Sequence, residues 1–200
     1  MGRLDKKNIL VVIPKDYYNE EELETCLEVF GKEGARTLIA SAKLKEAVGM
    51  KAGRVLPDVL IVDAVEGIMG DSYVTEVGHG SRQIKGIFHG VVLIGGQGAR
   101  KYLWPDKVLH LLLSDRHRSG FVVSAIGTAV PCLAHTGLLD GKTVAAEKNK
   151  HTLPELEKTK VTVGEQDVVA DDRVITASGA AAAEPFARAV AEAVEKTKSR

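Results

Sequence analysis

The stretch AIGTAVPCLAHTGLLDGK, residues 125–142, follows the apolar run at 121–124 and reads as a buried strand breaking sharply into a helix. Such a break exposes one side chain at the carboxyl edge of a sheet. It also aims the first free N–H groups of the helix, with their positive partial charge, at whatever binds there. That edge is where an α/β protein places its nucleophile. Here the residue at the break is Gly127, which has nothing to react with. A strained elbow costs a non-glycine residue about 1–3 kcal/mol, and glycine adopts it at little steric cost. Gly127 therefore keeps the turn while removing the usual covalent chemistry.

No neighbour replaces the missing group. Cys132 lies five positions on, more than a full helical turn away, and both it and Cys26 read as small buried hydrophobes. With no CxxC pair and no His/Cys cluster, neither a disulfide framework nor a zinc site is expected. Thr128 offers a hydroxyl beside the turn, but as a nucleophile it needs a base that no sequence feature identifies, so it reads as a capping or core hydroxyl. Histidines 79, 89, 110, 117, 135 and 151 show no HxH or HExxH spacing, and no metal or other cofactor is expected. His135 sits eight residues beyond the turn, too far along to face a pocket. Arg116, His117 and Arg118 end a helix, where positive charge complements the dipole.

Around the elbow, short β-rich runs alternate with amphipathic helices, the pattern of a mostly parallel sheet covered on both faces. The fold class expected is a three-layer α/β/α sandwich with a flavodoxin-like sheet. NILVVIP at 8–14 opens it; a helix follows with Leu23, Cys26, Leu27 and Phe30 on one face and Gly34 as its C-terminal cap. ARTLIAS is the second strand, GVVLI a later central one, a helix covers about 108–118, and VITAS is the last strand. The closing helix buries Phe186, Ala187, Val190 and Val194, with Pro185 in its first turn, where a missing N–H is tolerated.

The chain has 200 residues, is 44% hydrophobic and contains no apolar run of membrane-spanning length, so one soluble domain over 1–200 is expected. Lys plus Arg and Asp plus Glu are both 27. That balance leaves no long-range field for nucleic acid or an anionic membrane. The apolar run at 9–13 is a strand rather than a signal peptide, and a reducing cytoplasm is the default compartment. Within 42–89 the segment at about 68–85 looks inserted. Tyr73, Val74 and Val77 between glycines suit a small hairpin at a sheet edge or dimer contact.

The elbow, with AI, LA, TGLL and GK in register, resembles that of the ThiJ/PfpI superfamily, relatives of class I glutamine amidotransferases. There a cysteine stands where this chain has Gly127. GMKAGRVLPD at 49–58 resembles another segment of the family, so the likeness covers nearly all of the chain, from NILVVIP to the closing helix, except about 68–85. It implies a pocket glutamate, which falls on Glu22 on counting back from Gly34. Glu20, Glu21 and Glu24 share that acidic run, which a helix N-terminus also favours without any site. It implies further that Gly95 and Gly96 form a turn whose N–H, with that of Thr128, builds an oxyanion site. A lone GG is more often only a tight turn. His151, in KNKHTLPE after TVAAE, lies where the family often places a pocket or interface histidine; otherwise it is a loop residue before a helix capped by Thr152. Homodimers or larger homo-oligomers are implied as well.

Two functions follow. In one, Glu22, Gly95, Gly96, Gly127, Thr128 and His151 surround a pocket that binds a small molecule without thiol chemistry, or the domain serves assembly. In the other, Glu22 acts as a general base on bound water or an acidic carbon, giving hydrolase or lyase chemistry of the family's glyoxalase, deglycase or peptidase kind without a cysteine.

Overall fold

Residues 8–12, NILVV, form β1 because a continuous run of branched apolar side chains suits a strand covered on both faces. A computed structural model of the chain describes residues 2–72 and 82–198. β1 (Asn8–Val12) pairs in parallel with β2 (Arg36–Ser41), which pairs with the short β3 (Val59–Leu60). On its other side β1 pairs with β4 (Gly90–Leu93), and β4 with β5 (Val122–Ile126). Beyond β5 come β6 (Val168–Asp171) and β7 (Val174–Ala177), giving the order β3-β2-β1-β4-β5-β7-β6. Only the outermost strand, β6, runs antiparallel. The inner part of this order is that of a flavodoxin-like doubly wound sheet.

Alternation along β1 divides the core. Leu10 and Val12 face a layer with Leu109 and Leu113. Ile9 and Val11 face one with Phe30, Phe186 and Val190. The first layer includes α2 (Ile61–Val65), α4 (Lys107–Arg118) and α5 (Val130–Ala134). The second is built from α1 (Glu20–Lys32) and α7 (Ala183–Glu195). The linking pieces α3 (Ala99–Tyr102) and α6 (Thr152–Glu157) lie at the carboxyl edge of the sheet. The three-layer α/β/α class is thus present.

Several local expectations meet the structure directly. Gly34 follows the end of α1 with φ +87°, the left-handed conformation of a C-terminal cap. Pro185 lies in the first turn of α7. Others need correction. TVAAE yields only a two-residue strand, Thr143–Val144, paired in parallel with Thr162–Val163. Thr152 is the first residue of α6 rather than its cap; the cap position is His151, and the Asn149 Oδ1 before it accepts from the N–H of His151 and of Thr152 at 2.9 and 2.8 Å. In the segment at 68–85, Ile68–Ser72 pairs antiparallel with Arg82–Lys85; Tyr73, Val74, Val77 and His79 lie outside the described residues. Among those residues no helix is long and apolar enough to cross a membrane.

Candidate functional site

Three backbone features converge where β1, β4 and β5 end. The start of α1 is capped by Asn19, whose Oδ1 accepts from the N–H of Glu21 and Glu22 at 3.1 and 3.3 Å. Asn19 followed three residues later by Glu22 has the spacing of a capping box, yet Glu22 does not close back on Asn19's backbone. Instead the Asn19 N–H donates to the Gly95 carbonyl at 3.0 Å, and the Gly95 N–H donates to Glu22 Oε2 at 2.7 Å. The helix start therefore grips the Gly95 peptide from both sides. Next in line, Gly96 adopts φ +116°, and a Cβ there would run into the backbone of Tyr17 and Asn19. Glycine is what lets this turn lie against the first loop.

The third feature is the elbow. Gly127 follows β5 with φ +60°, the left-handed conformation that a side chain disfavours. A Cβ on Gly127 would stand 2.6 Å from Glu22 Oε1 and 3.6 Å from Glu147 Oε2. The place of a nucleophile is therefore flanked by two carboxyl groups, one of them close enough to fill it. Glu22 is 1% exposed. Burial pushes its carboxyl up to about 7, the Gly95 N–H opposes the rise, and the charges of Glu147 and Glu21 add to it. Asn19 Nδ2 donates to Glu22 Oε1 at 3.3 Å. Of the glutamates at the start of α1, Glu22 is the one whose carboxyl lies beside Gly95 and Gly127. Glu20 faces away, accepting from the N–H of Lys51 and Gly53 at 2.6 and 3.1 Å; Glu21 and Glu24 are exposed.

Thr128 shapes the site through its hydroxyl. Its Oγ1 accepts from the Gly96 N–H and donates to the Gly96 carbonyl, both at 2.8 Å. Both N–H groups of the GG turn are thus engaged within the protein, Gly95's by Glu22 and Gly96's by Thr128. The oxyanion pair expected from Gly96 and Thr128 is correspondingly half occupied. The Thr128 carbonyl accepts from Trp104 Nε1 at 2.7 Å, tying the elbow to the wall of the hollow above it.

That hollow has a volume of about 470 Å³ and is lined by Asn19, Gly96, Thr128 and His151 together with Arg100 and Glu147. Glu22, Gly95 and Gly127, expected around the pocket, do not line it but adjoin lining residues: Glu22 accepts from Asn19, and a Cβ on Gly127 would stand 3.6 Å from Glu147 Oε2. His151 is exposed, and its Nδ1 lies 3.1 Å from Arg100 Nη1. A larger hollow of about 640 Å³ is flanked by Gly120, Phe121 and Arg173. It opens where β5 begins, the opposite edge from the elbow, and ligands in open α/β sheets bind at the carboxyl edge.

Two groups beside the hollow, Glu147 and Arg100, were missed by sequence reasoning. Glu147 faces the elbow from a loop that shows no periodicity; the only hint was an acidic residue just after the apolar strand. Arg100 lies one short turn beyond the GG turn, a basic residue where the hollow needs one. Neither cysteine takes part. Cys26 and Cys132 are both fully buried, and burial raises their thiols far above the reactive range. His135 pairs with Glu155 at 3.0 Å, outside the hollow. Among the described residues no three His, Cys, Asp or Glu side chains are grouped to hold a metal ion.

The sequence model described as the DJ-1/PfpI family matches residues 7–193. An uncharacterised protein of Methanocaldococcus jannaschii, MJ0967, is 30% identical over 190 residues, covering 95% of this chain and 83% of that one. The glutathione-independent glyoxalase DJR-1.2 of Caenorhabditis elegans is 27% identical over 195 residues, covering 95% and 90%. The crystal structure of a ThiJ/PfpI domain protein from Brachyspira murdochii superposes with a TM-score of 0.79 at 23% identity, over 98% of this chain and 99% of that one.

Proposed function

We propose, for a chain that belongs to the DJ-1/PfpI family, that the elbow has given up thiol chemistry and that the hollow above it binds a small polar metabolite. One observation carries this reading: Gly127 gives the elbow no side chain, and the Glu22 carboxyl oxygen stands 2.6 Å from where a Cβ would be. Without a nucleophile no covalent intermediate forms there. The N–H groups of Gly95 and Gly96, held by Glu22 and Thr128, are not free to stabilise an oxyanion. What the site retains is a walled cavity with convergent polar groups, of the size that holds small ligands, roughly 300–1,000 Å³.

A second reading is favoured by one feature, the Glu22 carboxyl poised at about 7 beside Glu147. A carboxylate near neutrality can take a proton from an acidic carbon or from water at working pH. In that case the chain performs cysteine-independent proton transfer, and the glyoxalase from Caenorhabditis elegans marks the substrate class to try first.

Incubation of the purified protein with methylglyoxal and with a fluorogenic peptide separates the two. The binding reading expects no turnover above buffer. Turnover that persists in Cys26→Ser and Cys132→Ser but disappears in Glu22→Gln establishes the second reading instead.

A further inference from the structure

The charges on the wall of the hollow are arranged in two kinds. Arg100 and Lys150 line it, both exposed, and among the described residues neither is paired with a carboxylate. Arg100 is instead steadied by His151 Nδ1. With no carboxylate on it, the guanidinium fork keeps its charge and most of its donors. On the same wall Glu147 carries the opposite charge. Its Oε1 accepts from Asn149 Nδ2 at 2.9 Å, while Oε2 turns toward the elbow and Glu22.

A third observation is independent of the charges. Thr152 is fully buried, lines the same hollow, and its hydroxyl has no hydrogen-bond partner. A buried hydroxyl without a partner costs about 1–3 kcal/mol, and this one stands in the wall of the hollow. The site is thus polar on three counts: an unneutralised guanidinium, a carboxyl backed by a second carboxyl, and an orphan hydroxyl.

Resting on the binding reading above, we infer that the hollow takes a small zwitterion of the α-amino carboxylate class. Its carboxylate sits on Arg100, with Lys150 adding charge, and its ammonium is directed to Glu147 with Glu22 behind it. Guanidinium and carboxylate form paired charge-assisted hydrogen bonds. The two carboxyls facing each other across Gly127 repel when both are ionised, and an ammonium beside Glu147 offsets that repulsion. A ligand with only one of these charges leaves the opposite protein charge desolvated and unpaired, which opposes binding.

Thermal-shift and calorimetric titrations at pH 7 test this with the twenty L-amino acids and, for any that bind, the matched 2-hydroxy acid and the matched amine. At least one amino acid is expected to bind at least tenfold more tightly than both partners lacking a charge. Arg100→Gln and Glu147→Gln, each at a site open to solvent, should each lower that affinity at least tenfold while the melting cooperativity is kept. Failure of every amino acid to bind at millimolar concentration overturns the inference, as does a hydroxy acid or amine that binds equally well. An uncharged metabolite that binds in the hollow and is displaced by no amino acid sinks the zwitterion assignment but leaves the binding reading standing. Turnover by the wild type strikes the binding reading instead.

Discussion

Glu20 and Glu22 stand two residues apart in the first turn of α1, both at most 7% exposed, and the protein treats them in opposite ways. Burial alone raises Glu20, but its own N–H and those of Lys51, Gly53 and Met50 more than offset that, and its carboxyl is held below the ordinary range. Glu22 receives one backbone donor, from Gly95, and faces Glu147, so burial wins and it rises to about 7. Sequence position and helix dipole are nearly the same for both. The deeper burial of Glu22 and the larger number of backbone donors to Glu20 decide. One glutamate is a clamp on the 49–53 loop; the other is a carboxyl raised by burial beside the elbow.

The sharpest way to break this contrast is Glu22→Gln. A carboxyl raised in the folded state contributes stability below its unfolded value, near 4.5, and that contribution is lost as pH rises through about 7. The wild type should therefore lose stability from pH 5 to 9, and the glutamine variant should not. At pH 9 the variant should be the more stable by on the order of 3 kcal/mol, its side-chain carbonyl taking over the Gly95 N–H. Urea unfolding at a series of pH values reads the difference. A variant as pH-sensitive as the wild type would show that Glu22 is already ionised at neutral pH.

Glu20→Gln should act in the other direction. It keeps the shape but replaces a charged acceptor of the Lys51 and Gly53 N–H groups with a neutral one. A loss of about 1–2 kcal/mol at pH 7 is expected, shrinking as pH falls and the wild-type carboxyl itself protonates. The same unfolding series measures it. A loss that persists unchanged at pH 3 would mean that shape rather than charge holds the loop.

Of these two roles, the sequence exposed one only partly and the other not at all. The family resemblance, counted back from Gly34, put its pocket glutamate at Glu22 but left Glu20, Glu21 and Glu24 in contention. Nothing local separated Glu22 from Glu20, since the Lys51 and Gly53 N–H groups that hold one carboxyl and the Gly95 N–H that holds the other lie more than thirty residues away. The elbow was legible because strand, turn and helix are written consecutively in residues 122–134, and so was the sheet, whose strands are unbroken apolar runs. β6 was not, since its residues are half-buried or exposed at the sheet edge and carry no strong period. Glu147 and Arg100 escaped notice for the same reason as Glu20's partners. Each is an ordinary charged residue until folding gives it a neighbour.

Glu147 offers the smallest and most discriminating change. It contributes to the rise of Glu22 by charge alone, since the two carboxyls share no hydrogen bond and meet only across the space above Gly127. Glu147→Gln removes that repulsion and leaves the burial of Glu22 and its Gly95 donor in place. The fall of stability with pH should therefore move to slightly higher pH-resistance: the titration of Glu22 drops by less than about one pH unit, and the variant gains less than about 1 kcal/mol at pH 9. Infrared difference spectra of the carboxyl band, with Glu22→Gln as the blank, would follow the titration of Glu22 directly. Because Glu147 is only half-buried, salt should erase part of the wild-type repulsion, and the difference between wild type and variant should narrow in 1 M NaCl. A difference that is large and indifferent to salt would assign Glu147 a packing role at the elbow and leave burial as the whole cause of Glu22's behaviour.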